Sequence, residues 1–136
     1  MVKRSGVENR ILFTGGLPPR DPRLIGLFQL SAAVVLPSLS ETFGLVILEA
    51  WASGTTVIST RTSGAADLVR PGSNGWFFDL ENPKAFHTAV DEVLTKPRLK
   101  SQYAAAVHEL VGKHFDINSL SGSVRRLYEE LVEEKR

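Results

Sequence analysis

Cysteine is absent from the 136 residues, which excludes disulfides and thiolate metal sites alike. Neither sign of charge is in excess: 16 Lys and Arg stand against 15 Asp and Glu, a formal net charge of +1. Nucleic-acid binders concentrate cations in a patch, whereas here they are spread and the C-terminal ones alternate with Glu, so no nucleic-acid partner is expected. No apolar run reaches the ~18 residues of a membrane span, and Met1-Val2-Lys3-Arg4 leads into polar sequence rather than a signal peptide. Internal repeats and low-complexity tracts are lacking too. What is present is an ordinary globular composition, 43% hydrophobic and 23% charged, long enough for one domain over 1–136 with a real core. A cytoplasmic, soluble domain is the expectation.

Along the chain, short apolar runs alternate with stretches of helical period. Residues 10–15 read as a strand closed by Gly15. Asp21-Pro22 supplies an N-cap and a first-turn proline for a helix over 22–31, with Leu24, Leu27 and Phe28 in helical register. Residues 33–36 are apolar throughout, as a strand covered on both faces should be. A helix over 42–53 follows, apolar nearly all round, with Gly54 as its C-terminal cap. Residues 55–60 read as a third strand, 62–69 as a loop with one helical turn, and 71–75 as a dense turn. Residues 76–78 make a fourth strand. The rest is helical: from Asn82-Pro83 to Thr95, over 98–113, and from the Asp116 cap through Leu120, Val124, Leu127 and Leu131. Strands alternating with helices predict a Rossmann-like α/β three-layer sandwich with a short parallel sheet of about four strands and a helical tail. In such sheets ligands gather beyond the strand C-termini, where the loop from Pro37 to Phe43 lies.

Residues 37–54 carry the chemistry: Pro-Ser-Leu-Ser-Glu-Thr-Phe-Gly-Leu-Val-Ile-Leu-Glu-Ala-Trp-Ala-Ser-Gly. A strand, a small polar loop and a helix N-terminus form an anion site, because the first backbone N–H groups have no acceptor within the helix. Glu41 opens that helical segment and Glu49 lies eight residues further on, which sets the two acids ~80° apart around the axis and roughly 12 Å apart along it. That suits an elongated ligand with a charged middle and hydroxyls at both ends. The residues alone leave other readings open. Glu41 could be a first-turn acid favoured by the helix dipole, or the partner of Ser38 in a capping box. Glu49 could be a surface carboxylate, although its neighbours leave little solvent-facing stripe. His87, His108 and His114 lack metal-ligand spacing and read as surface or packing residues. Gly15-Gly16 is no dinucleotide fingerprint, and Phe115 and Tyr128 read as core contacts.

With Val57-Ile58 after it, the 37–54 stretch resembles the donor-site signature of the family-4 (group 1) retaining glycosyltransferases of the GT-B fold. Ile-Leu-Phe-Thr-Gly (residues 11–15), Asn-Gly-Trp-Phe-Phe (74–78) and Arg-Arg-Leu-Tyr (125–128) extend the likeness from about residue 6 to about 130. The resemblance implies part of a C-terminal domain that binds a nucleotide-diphosphate sugar. It implies Glu41 as the catalytic carboxylate, hydrogen-bonded to hydroxyls of the transferred sugar and stabilising charge on its ring, and Ser40, Thr42, Phe43, Gly44, Leu45 and Gly64 around the sugar and diphosphate. Glu49 would bind the ribose. No metal and no further cofactor are implied, and transfer to an acceptor hydroxyl would retain the anomeric configuration. An N-terminal acceptor-binding domain would be the partner, with peripheral membrane association of the full enzyme left open. The competing class is a non-catalytic α/β module that binds a nucleotide, or a protein through the apolar helix.

Three departures from the family pattern bear on this. Ala32-Ala33 stands where an Ala-Asp pair is usual, and Ser63-Gly64-Ala65-Ala66-Asp67 where Gly-Gly-x-x-Glu is usual. The basic pair that grips the diphosphate lies upstream in the family and has no counterpart here. A helix N-terminus contributes roughly 0.3–2 kcal/mol toward an anion, against the ~8 kcal/mol of micromolar binding. Millimolar or weaker donor affinity and no turnover are therefore expected, unless Arg61, Arg20 or Arg23 substitutes. In the doubly wound strand order 3-2-1-4-5-6, residues 10–15 would take the third place and the two strands between them and 33–36 would be absent. Either residues 11–14 slide in beside 33–36, the expected outcome, or two chains pair across that edge.

Overall fold

The computed structural model describes residues 6–18, 20–96, 107 and 110–134. Helix α1 (Pro22–Leu30) starts where proposed, with the Asp21 carboxylate accepting the Arg23 N–H. Strand β1 (Ala33–Leu36), helix α2 (Leu45–Ala52), strand β2 (Thr56–Thr60) and helix α3 (Ser63–Leu68) follow, then strand β3 (Gly75–Phe78), helix α4 (Pro83–Thr95) and the last helix, α5 (Ile117–Glu133). The helix expected over 98–113 lies mostly outside the described residues, as does His108.

Three strands form the sheet, in the order β1-β2-β3 and all parallel. Val34 stands beside Val57 and Ile58 beside Trp76. Every residue of β2 is buried, as a central strand covered on both faces requires. Side chains alternate between the faces. Val57, Val34, Leu36 and Phe77 meet Ile47, Leu48, Ala50 and Trp51 of α2. On the other face Phe78 meets Phe86 of α4, ring centres 5.0 Å apart. The sandwich has the expected three layers.

The first of the four expected strands, at 10–15, does not form. Residues 11–18 belong to no regular element, and Leu12 and Phe13 are 81% and 77% exposed. In the doubly wound order this segment belongs three places from β1, with two strands between them, so β1 is not its hydrogen-bonding neighbour. Among the described residues β1 is left as an open edge.

Two further differences are local. The 62–69 segment is a six-residue helix, α3, capped by the Thr62 hydroxyl, which accepts the Ala65 N–H. Helix α2 begins at Leu45 rather than Thr42, because Gly44 takes the left-handed conformation at φ +88° and breaks the helical path. Its far end matches expectation. Gly54 lies at φ +75°, and the Thr55 N–H returns to the Ala50 carbonyl, closing a Schellman cap.

Candidate functional site

Glu41 is held in the loop before α2 rather than in the helix, and three contacts fix it. Its carbonyl accepts the Gly64 N–H at 2.9 Å and the Ser63 hydroxyl at 3.0 Å. Its carboxylate Oε1 accepts the Gly44 N–H at 3.2 Å. The half-buried acid therefore stands against the start of α2, where the dipole favours negative charge. The capping box with Ser38 does not form: Ser38 instead offers its carbonyl to the Thr60 hydroxyl, which ties the end of β1 to the end of β2.

Of the amides expected to face a ligand, that of Gly44 is already taken by Glu41. Ile47 and Leu48 both donate to the Gly44 carbonyl. Helix geometry leaves the N–H groups of Leu45 and Val46 without intrahelical acceptors, so anion binding falls to them. Phe43 is half exposed and meets Phe115 edge-on at 6.2 Å, so the segment leading into α5 braces the loop. Ser40 and Thr42 are exposed on the same loop. Gly64 lies buried beneath it: a Cβ there would stand 2.6 Å from the Phe43 nitrogen and 2.8 Å from the Thr42 carbonyl carbon. Only glycine lets α3 approach the loop this closely.

Glu49 is on the exposed stripe of α2 with Leu45 and Ala52, a stripe that apolar composition concealed. It lines a cleft of about 340 Å³ between α1 and α2 with Arg20, Leu24, Ile25 and Phe28. Glu41 does not line that cleft. The two acids share an element boundary, not a single cavity, and the helical angle between them does not apply because only Glu49 is helical. The remaining apolar residues of α2, Ile47, Leu48, Ala50 and Trp51, are spent in the chain's own core and are not free for a partner protein.

The three arginines fare differently. Arg23 is committed to Asp21 through Nε at 3.0 Å and Nη2 at 2.7 Å. That guanidinium holds the Asp21 carboxyl below the ordinary carboxylate range. Arg20 borders the Glu49 cleft in a left-handed conformation, φ +67°. The Arg61 guanidinium carbon sits over Phe77, 4.3 Å from the ring centre. Sequence reasoning noticed its place after the strand but not its ring. The contact follows from the parallel register that sets Phe77 beside Ser59 on the neighbouring strand, which the sequence alone does not state.

Comparison with known proteins gives three results. The family described as glycosyl transferases, group 1, matches residues 1–109. D-inositol 3-phosphate glycosyltransferase of Acidothermus cellulolyticus is 32% identical over 132 residues, 96% of this chain and 28% of that protein. Among solved structures, sucrose-phosphate synthase of Thermosynechococcus elongatus superposes on 98% of this chain and 33% of its own, with a TM-score of 0.81 and 25% identity. HepE of Anabaena, crystallised with UDP, superposes on 95% of this chain and 35% of its own, also with a TM-score of 0.81; at 23% identity that likeness is one of fold. The chain spans about a third of the length of these proteins.

Proposed function

Because the chain belongs to the group 1 glycosyl transferases, we propose that it is the part of a retaining enzyme that holds a nucleotide-diphosphate sugar. One observation carries the reading. A half-buried carboxylate, Glu41, is pinned by its backbone to α3 and by its side chain to the first turn of α2, next to the two amides that helix geometry leaves unmatched. An acid built into the mouth of an anion site suits a ligand with hydroxyls beside a phosphate.

In this reading Glu41 accepts hydrogen bonds from the transferred sugar and stabilises positive charge developing on its ring. Leu45 and Val46 donate to the diphosphate as it departs. Glu49, further along the exposed stripe, accepts from the ribose, and the apolar cleft beside it takes the nucleoside. Gly44 and Gly64 keep side chains out of the loop's way. HepE, alike in fold, was also crystallised with UDP-glucose, which makes a uridine donor the first to test. A longer polypeptide would supply the diphosphate-gripping cations and the acceptor-binding domain, with no metal or other cofactor required of this part.

Two unmatched amides and a helix dipole of roughly 0.3–2 kcal/mol fall short of the ~4 kcal/mol of even millimolar binding. The isolated chain is expected to bind UDP at millimolar or weaker affinity and to turn nothing over. Nuclear magnetic resonance of the ¹⁵N-labelled chain tests this: UDP should move the amides of residues 43–46, and Glu49→Ala should weaken the effect. A low-micromolar constant by calorimetry would overturn the affinity argument. Shifts confined to residues outside 40–53 would overturn the site.

A further inference from the structure

A second cleft, unused by the donor reading, opens across the C-terminal ends of all three strands. It measures about 490 Å³ and is bordered by Ser38 beyond β1, Thr60 and Arg61 at the end of β2, and Phe77 and Asp79 around the end of β3. That volume suits a small ligand, and the ends of parallel strands are where open α/β sheets receive one.

Its side chains are arranged for a particular chemistry. The Arg61 guanidinium is already placed by Phe77, so less side-chain freedom is lost when a ligand arrives. Among the described residues no carboxylate comes within ion-pair reach of it, in contrast to Arg23 on Asp21 and Lys96 on Glu92. Among the described residues no acceptor takes the guanidinium N–H groups, which are left for a two-point contact with an oxyanion while the carbon sits over the ring. Asp79 borders the same space, its Oδ1 held by the Glu81 N–H at 3.0 Å. Leu39, Phe78 and Leu80 supply apolar surface. A bare inorganic anion would meet Arg61 but be repelled by Asp79. A neutral sugar would satisfy Asp79 and leave the guanidinium idle.

We propose that this cleft binds a phosphorylated sugar or polyol. Arg61 takes the phosphate, Asp79 accepts the hydroxyls, and the apolar wall receives the C–H face of the ring. The proposal stands apart from the donor reading, since it uses neither Glu41, Glu49 nor the start of α2.

The test is titration of the full ¹⁵N-labelled chain with glucose 6-phosphate, glucose and inorganic phosphate. Glucose 6-phosphate should move the Arg61 Nε–H and the amides of residues 77–80, with glucose and phosphate at least tenfold weaker. Losing the charge-assisted contacts in Arg61→Gln should weaken binding about tenfold or more. Arg61→Lys, which keeps the charge without the fork, should fall between. Unchanged affinity in Arg61→Gln would overturn the site, as would the absence of any shift at residues 61 and 77–80. So would displacement of glucose 6-phosphate by UDP with the same amides moving, since the cleft would then belong to the donor. Failure of UDP to move residues 43–46 bears on the donor reading alone.

Discussion

At the scale of single residues, backbone decides more than charge. Glu41 would be free to point anywhere on its loop were its carbonyl not held by Ser63 and Gly64. Gly64 makes that possible by having no side chain. The three atoms nearest a Cβ there are backbone atoms of Thr42 and Phe43, between 2.6 and 2.8 Å away, and backbone cannot turn aside as a flexible side chain would. Gly64→Ala is therefore expected to cost about 1–3 kcal/mol, as overpacking does, and to displace the Glu41 loop. Urea unfolding measures the first effect, and loss of the UDP-induced shifts at residues 43–46 the second. Gly122 of α5 is the control. A Cβ there meets nothing within 4 Å, so Gly122→Ala should leave stability unchanged or raise it by up to about 1 kcal/mol.

At the scale of elements, the caps were legible and the breaks were not. Asp21, Asn82 and Asp116 each accept an N–H from the first turn of the helix they precede, as their residue types announced. Gly54 ended α2 for the same local reason. The start of α2 was misjudged because Thr42 and Phe43 continue the helical pattern, while the left-handed turn at Gly44 follows from where α3 and Leu68 lie, a tertiary matter. The strand at 10–15 was misjudged for a similar cause: an apolar run states that it wants burial, not whether a partner is beside it. Within the site, the two acids and the glycines could be named from spacing and resemblance. The contact of Arg61 with Phe77 depends on parallel register and could not.

Asn74 is a third contact hidden from sequence, and it holds an element in place. Its Oδ1 accepts the Arg70 N–H, its Nδ2 donates to the Leu68 carbonyl, and its own carbonyl accepts the Trp51 indole N–H at 3.0 Å. The buried side chain thereby closes the turn before β3, and the backbone carbonyl of the same residue ties that turn to α2. Asn74→Ala would strand a backbone donor and an acceptor, each costing about 1–3 kcal/mol where water cannot reach. Loss of stability on that order, read by urea unfolding with the Trp51 fluorescence as reporter, is the expected result. A loss below about 0.5 kcal/mol would mean that water replaces Asn74.

At the scale of the whole molecule, too much apolar surface is left outside for a comfortable monomer. Among the described residues β1 presents an unpaired edge. Beside it Leu12, Leu17, Leu27 and Leu30 line a groove of about 500 Å³, with Leu30 87% exposed. On another side α5 buries none of its residues, although Leu120, Val124, Leu127 and Leu131 recur on one face. Surfaces of this kind are covered in stable proteins, by more of the same chain or by another. Residues 11–14 do not cover the edge, so in isolation a second copy is the available partner. Light scattering behind size-exclusion should show a mass that rises with concentration toward the dimer. Paired charges at the edge, Leu30→Lys with Val35→Lys, should return the chain to monomer, because a lysine directed into a sheet edge blocks pairing across it. Leu127→Glu should not. Should Leu127→Glu alone abolish association, the tail helix and not the sheet edge is the contact; should the unsubstituted chain keep the monomer mass at every concentration, it tolerates its open edge.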